Sequence, residues 1–94
     1  MKFEWDPNKE SENIKKHKID FEEAVQCFLD VNGFTLEDIR HSTDKEKRYY
    51  WIGKSLNEKI ITVRFTLRDD KIRIIGATEW REFRRMYNEK TQNK

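Results

Sequence analysis

The clearest pattern in the chain lies between Lys59 and Arg68. There Ile61, Val63, Phe65 and Leu67 alternate with Thr62, Arg64, Thr66 and Arg68, the period of a half-buried strand. Tyr49–Lys54 and Lys71–Ala77 flank it as further strands, Gly33–Leu36 adds a short one, and residues 2–5 open the chain as another. Two helices separate the first strands. Asp6-Pro7 is a helix start, with Asp6 as N-cap and Pro7 at the first helical position, and this helix runs to about Lys16. Asp20 and Glu23 form an Asp variant of the capping box, with Ile19 placed for a staple onto Ala24. Phe21, Ala24, Val25, Phe28 and Leu29 then follow at core-facing helical spacing until Asn32-Gly33 breaks the helix. After a polar loop from Asp38 to Lys47 and the strand run, Trp80, Phe83 and Tyr87 mark a terminal helix that also carries Arg81, Arg84 and Arg85. Thr91 to Lys94 read as a frayed tail. The order β-α-α-(β)-β-β-β-α predicts an α+β fold, with helices gathered at one side of a small antiparallel sheet.

The first helix departs from the amphipathic rule, because Ile14 is its only clear hydrophobe. Lys9, Asn13, Lys16 and His17 fall on one helical face. Two ammonium groups, an amide and an imidazole on one face could hold a phosphate and move a proton, or could be an ordinary wet surface.

Composition bounds the rest. Ninety-four residues make one domain, and a charged fraction of 40% with a mean hydropathy of −1.08 would suit a disordered chain. Three Trp, three Tyr and six Phe supply the buried surface that a core needs. Residues 1–47 carry 8 Lys/Arg and 12 Asp/Glu, whereas residues 48–94 carry 12 and 6, so the net charges are −4 and +6. The basic half points to an anionic partner, nucleic acid first. Cys27 is single, which excludes an internal disulfide and a cysteine-cluster metal site, and its place beside the apolar stripe reads as a small hydrophobe. No apolar run is long enough to span a membrane and no signal-peptide pattern appears, so a cytoplasmic protein is expected. Gly-rich phosphate loops, Ser-His-Asp arrangements and zinc signatures are absent, and His41, in a loop with Ser42, Thr43 and Asp44, has no metal-specifying spacing. No cofactor is expected.

Strand arithmetic adds one inference. With Asp69-Asp70 as a two-residue hairpin loop, Arg68 faces Lys71, Leu67 faces Ile72, Thr66 faces Arg73, Phe65 faces Ile74 and Arg64 faces Ile75. Arg64, Arg68, Lys71 and Arg73 then project from the face opposite the core. Clustered cations repel unless carboxylates or an anionic ligand offset them, so the face is either laced with Asp and Glu partners or built for a ligand.

Several separated segments carry a family resemblance. Phe3-Glu4-Trp5-Asp6-Pro7, Lys9, Asn13, Lys16-His17, Phe21-Glu22-Glu23-Ala24, Arg40-His41-Ser42, Arg48-Tyr49, Ile52-Gly53-Lys54-Ser55, Val63-Arg64-Phe65-Thr66, Arg68 and Ile72-Arg73-Ile74-Ile75 resemble the BrnT toxins of bacterial type II toxin–antitoxin pairs. The chain departs from that pattern at Lys18, where Gly is usual, and at Gly76-Ala77-Thr78, where Ser-Ala-Arg is common; the Glu usual in the last helix is displaced, with Glu82 and Arg84 in its region.

The resemblance implies a RelE-like fold and metal-independent endoribonuclease activity on cellular RNA, inhibiting translation and growth. It also implies neutralisation by a BrnA-like ribbon-helix-helix antitoxin in a hetero-oligomer that meets DNA only through the antitoxin. The alternative within the same fold is a non-catalytic RNA- or antitoxin-binding protein acting in a transcriptional repressor complex. Attack of a ribose 2′-hydroxyl on its neighbouring phosphate needs a proton acceptor, cations for the developing charge and a proton donor. The expected catalytic residues are His17, Arg64, Arg68 and Arg73, the arginines bracing phosphate with forked hydrogen bonds. Lys9, Lys16 and Arg48 are the expected phosphate contacts, and Trp5 and Tyr49 are candidates for stacking on bases or for core packing.

Overall fold

The computed structural model describes residues 1–92. Its elements are β1 (Lys2–Trp5), α1 (Pro7–His17), α2 (Phe21–Cys27), β2 (Phe34–Glu37), a 3₁₀ turn (Ile39–His41), β3 (Arg48–Lys54), β4 (Ile60–Arg68), β5 (Lys71–Thr78) and α3 (Arg81–Gln92). The α+β order is the one read from the sequence. Thr91 and Gln92, expected in a tail, belong to α3, and residues 93–94 lie outside the described residues.

The strands form one sheet in the order β1-β5-β4-β3-β2. β2 to β5 pair antiparallel, but β1 runs parallel to β5, from Lys2 beside Lys71 to Trp5 beside Ile74. The sheet is therefore mixed, a correction to the wholly antiparallel expectation. Its cause is the position of α1. Two hairpin turns fix the direction of β5, and α1 docks at the Ala77 end of that strand, so β1 must run toward the same end to feed it.

The Asp69-Asp70 hairpin forms with φ of 52° and 65°, the two left-handed residues of a type I′ turn. Its register holds as expected from Arg68–Lys71 through Phe65–Ile74. Beyond that a β-bulge intervenes, and Arg64 pairs with Gly76 instead of Ile75, which becomes the extra residue.

One sheet face carries the core. Ile61, Val63, Phe65, Ile72, Ile74 and Ala77 meet Ile19, Phe21, Ala24 and Cys27 from the α2 side. Each large aliphatic or aromatic side chain buried there contributes about 1.5–3 kcal/mol. Phe28 stacks on Trp51 and meets Phe65 edge-on, while Tyr49 stacks on Phe65. Gly53 lets the end of α2 approach, since a Cβ there would strike the Cys27 carbonyl, which instead accepts the Trp51 indole N–H at 2.6 Å. Leu29 does not join its expected stripe and is 79% exposed, because the helix ends at Cys27 and the chain turns away. Around it an apolar recess of about 610 Å³, lined in part by Phe3, Phe28, Trp51 and Leu67, opens on the core face.

The helices are not all on one side, as had been expected. α2 lies on the core face and α1 along the β5 edge, whereas α3 crosses the other face. Tyr50, whose side chain alternates with the core-facing Tyr49 and Trp51, packs on Trp80 and Phe83 with ring centroids 5.5 and 5.3 Å away, and Lys90 Nζ sits 3.9 Å over Phe34. The Tyr87 hydroxyl donates to Asp30, tying α3 to the segment after α2. Burial, the neighbouring Asp30 carboxylate and their hydrogen bond push that phenol up to about 12.

Local capping follows the sequence with one change. Asp6 accepts from the Asn8 N–H and Asp20 from the Glu23 N–H. The Glu23 carboxylate does not return to the cap. It accepts from Ser55 Oγ at 2.8 Å and Asn57 Nδ2 at 3.1 Å, fastening the β3–β4 turn to α2. Lys18 ends α1 in the left-handed conformation with φ 60°, its N–H bonded to the Ile14 carbonyl. A helix end of this shape favours glycine for want of a Cβ clash.

Asn13 is buried, not on the open face of α1. Its Nδ2 donates to the Ile19 carbonyl at 2.9 Å and to the Ala77 carbonyl at 3.0 Å, and its Oδ1 accepts from the Ala77 N–H at 3.1 Å. β1 ends opposite Ile74, and the amide takes up the exposed strand edge beyond it.

Two stability changes follow. Asn13→Ala leaves three buried backbone groups unpaired at about 1–3 kcal/mol each, so urea unfolding should lose at least about 2 kcal/mol. Asn13→Asp, which cannot donate, should fail to restore it. Lys18→Gly relieves the left-handed backbone and should raise stability by about 0.5–1 kcal/mol in the same measurement.

Candidate active site

α3 covers only part of the second sheet face. On the remainder, Arg48, Thr66, Arg73 and Glu4 are cross-strand neighbours in one row over β3, β4, β5 and β1. Arg68 stands two residues beyond Thr66 on the same face. These arginines and Thr66 line a shallow cleft of about 170 Å³, together with Lys9 from α1 and Glu46 from the loop before β3. The expected convergence of α1 with the strand cations is thus present at Lys9.

Carboxylates lace the row. Glu46 accepts from Arg48 Nε at 3.1 Å and from Arg68 Nη2 at 3.0 Å. Glu4 accepts from Arg73 Nη1 at 2.8 Å, with Lys71 Nζ 3.7 Å away. The Arg68 hydrogen bond, aided by Arg48, holds the Glu46 carboxyl below the usual carboxylate range against the opposing effect of desolvation. The Arg73 hydrogen bond, with help from Lys71, does the same for Glu4. These carboxylates were absent from the predicted site. The spacing of Glu46 and Arg48, two apart where a strand begins, was the available signal for one of them; the parallel β1 pairing that brings Glu4 across left none.

Arg64 differs from its neighbours. It has no carboxylate partner among the described residues, and its Nε is buried without a hydrogen bond. The bulge explains its position. By shifting the register one residue it sets Gly76 beside Arg64, and a Cβ at Gly76 would collide with the guanidinium lying over it. The Thr78 hydroxyl, two residues along β5, is likewise buried and unpaired. The two unpaired donors lie on the face opposite the core.

The other predicted residues lie elsewhere. Lys16 and His17 are exposed near the end of α1, on the order of 10–12 Å along the helix axis from Lys9, and neither lines the cleft. Trp5 packs edge-on against Phe21 and donates its indole N–H to Glu10, and Tyr49 stacks on Phe65. Both rings serve the core side. Cys27 is fully buried; desolvation, with the carboxylates of Glu23 and Asp30 nearby, pushes its thiol up to about 12, far from a reactive thiolate.

The loop before β3 contains a second polar cluster missed in the sequence. Asp38 is buried and contacts His41 at 2.8 Å, Oδ2 to Nδ1, in a 3₁₀ turn. Ser42 Oγ accepts from the Arg48 N–H and donates to the Asp38 carbonyl, so the same turn anchors the first residue of β3. Asp38-x-x-His41 was the available signal. No group of three or more His, Cys, Asp or Glu among the described residues is placed to hold a metal ion, and no helix among them is long and apolar enough to cross a membrane.

Comparison with known proteins agrees with this architecture. Residues 5–83 match the family described as "Ribonuclease toxin, BrnT, of type II toxin-antitoxin system". The fold is similar to the crystal structure of the Brucella abortus ribonuclease toxin BrnT, with a TM-score of 0.64 and 26% identity over 85% of this chain and 96% of that one. No curated protein matches the chain. With a family match that spans most of its length and a sheet, helices and basic face to go with it, the chain belongs to the BrnT family of ribonuclease toxins of type II toxin–antitoxin systems.

Proposed function

We propose that this protein is itself an active, metal-independent endoribonuclease that cleaves cellular RNA and thereby arrests translation and growth. The observation that carries the reading is the orphaned Arg64 guanidinium above Gly76, beside the unpaired Thr78 hydroxyl. Arg64 is half-buried without a carboxylate partner among the described residues, and a phosphate oxygen hydrogen-bonded to its guanidinium would supply the missing negative charge. Arg64 and Arg73 brace the scissile phosphate, while Arg48, Arg68 and Lys9 receive its neighbours along the cleft. Glu4 and Glu46 keep these guanidiniums extended and oriented before substrate arrives. The chemistry is attack of a ribose 2′-hydroxyl on the adjacent phosphate, whose extra negative charge the pre-set guanidiniums stabilise. Thr78 stands where arginine is common in the family, so in this chain a neutral donor works beside Arg64. A BrnA-like ribbon-helix-helix antitoxin neutralises the protein, and DNA is contacted through that partner.

Two measurements test this. Purified protein incubated with total RNA and EDTA should cleave as well as without chelator; RNA that is bound but left intact would instead favour the non-catalytic binding protein. Arg64→Ala with Arg73→Ala should lower cleavage by about 100-fold or more and relieve growth arrest on expression, with an unchanged circular dichroism spectrum. A folded double variant that remains fully toxic would overturn the arginine site.

A further inference from the structure

We propose that His41, oriented by Asp38, is the general base that takes the 2′-hydroxyl proton in this reaction; the inference rests on the endoribonuclease reading above. His17 lacks the environment the role requires. No hydrogen bond that would orient its ring is present among the described residues. His41 has that environment. Asp38 is 7% exposed, yet its carboxylate accepts from the His41 backbone N–H at 3.3 Å and from His41 Nδ1 at 2.8 Å, with the Tyr50 hydroxyl nearby. Burial raises the tendency of Asp38 to protonate, but the hydrogen bonds from His41 and Tyr50 outweigh it and hold the carboxyl below its usual range. An ionised Asp38 accepts only, so the Nδ1 that faces it carries the hydrogen. That fixes the tautomer whose Nε2 bears a free lone pair. The His41 side chain is 58% exposed, which leaves Nε2 open to a substrate.

The turn that holds this pair is fastened to β3 on both sides. The Asp38 N–H donates to the Arg48 carbonyl at 2.8 Å, and Ser42 Oγ links the Asp38 carbonyl to the Arg48 N–H. Asp38 also connects the histidine to the anion-binding arginine. Tyr50, whose hydroxyl lies near Asp38, is the cross-strand neighbour of Arg64, and its ring is buttressed by Trp80 and Phe83. His41, Asp38, Tyr50 and Arg64 are therefore successive neighbours on one side of the sheet. A phosphate on Arg64 sits on the same sheet face that the Asp38–His41 turn borders.

In the step itself, His41 Nε2 takes the proton as the 2′-oxygen bonds to phosphorus and the bond from phosphorus to the 5′-oxygen breaks. The leaving 5′-oxygen takes a proton from water, and the hydroxide so formed recovers the proton from His41. The products are a 2′,3′-cyclic phosphate and a 5′-hydroxyl. His41 touches the reacting atoms and is a catalytic residue; Asp38 acts through it and is a positioning residue. The titratable group that faces the pair is Tyr50 on β3, which in turn is faced by Arg64 on β4 and Arg40 in the turn.

The test compares wild type, His41→Ala and Asp38→Asn in single-turnover cleavage of an end-labelled RNA oligonucleotide across pH, with oligonucleotide affinity and thermal melting measured alongside. His41→Ala should lose about 100-fold or more in rate while keeping wild-type affinity and melting temperature, and imidazole added to the buffer should restore part of it. The limb of the wild-type profile that rises with an imidazole ionisation should vanish in His41→Ala and be displaced in Asp38→Asn. A His41→Ala protein that cleaves at the wild-type rate across the profile overturns the proposal and leaves the ribonuclease reading standing. Wild-type protein that binds the oligonucleotide but leaves it intact overturns both.

Discussion

Asn13 supplies, from a side chain, what a strand would supply from its backbone. β5 extends past the end of β1, and its Ala77 N–H and carbonyl would otherwise face a buried void. The amide offers one acceptor and two donors, answers both groups and uses its remaining hydrogen on the Ile19 carbonyl. Three consequences depend on that exchange. α1 is held against the sheet although it has almost no apolar face, the link into α2 is fixed so that Ile19 and Phe21 enter the core, and Lys9 is carried to the edge of the arginine cleft. A helix that hydrophobic burial could not hold is held by geometry, because the alternative is an unpaired strand edge in a place water does not reach.

The sheet then divides its work by face. The core side takes the aromatic rings, including Trp5 and Tyr49, and the other side collects cations that would repel one another across neighbouring strands. Glu4 and Glu46 make this tolerable, each shared between two basic side chains. Arg64 is left out of that arrangement by the bulge, which exchanges a paired, solvated guanidinium for a fixed and unsatisfied one. Such local cost is characteristic of sites that await a ligand.

Much of this was legible in the chain. Alternation through Ile61–Arg68 gave the central strand, and the parity of a two-residue Asp69-Asp70 turn gave the register as far as Phe65. The family signature reached the right fold. What escaped were features set by distant partners. No local pattern announces that β1 runs parallel to a strand some seventy positions later, or that a bulge will follow Phe65. Periodicity put Asn13 on a polar face because it reports which residues share a side of a helix and cannot say which side turns inward. Leu29 was misassigned for a related reason: the stripe continued in sequence after the helix had ended. The candidate chemistry was half visible. Arg48, Arg68, Arg73 and Lys9 line one cleft, which Arg64 does not; the histidine expected from the family signature lies apart from it, and the one with a carboxylate partner sits in a loop.

Glu46 has a meaning beyond tidying charge. By bridging Arg48 and Arg68 it occupies the cleft much as a bound anion would, so the protein carries its own competitor. An isolated phosphate gains little by displacing a carboxylate already in place at close range. A chain with phosphates at regular spacing would engage Arg73 and Lys9 while it turns Glu46 aside, and so recover in number what it loses in that exchange. In the proposed RNA-cleaving role, that competition would favour polymers over mononucleotides through a single glutamate rather than through any contact with a base.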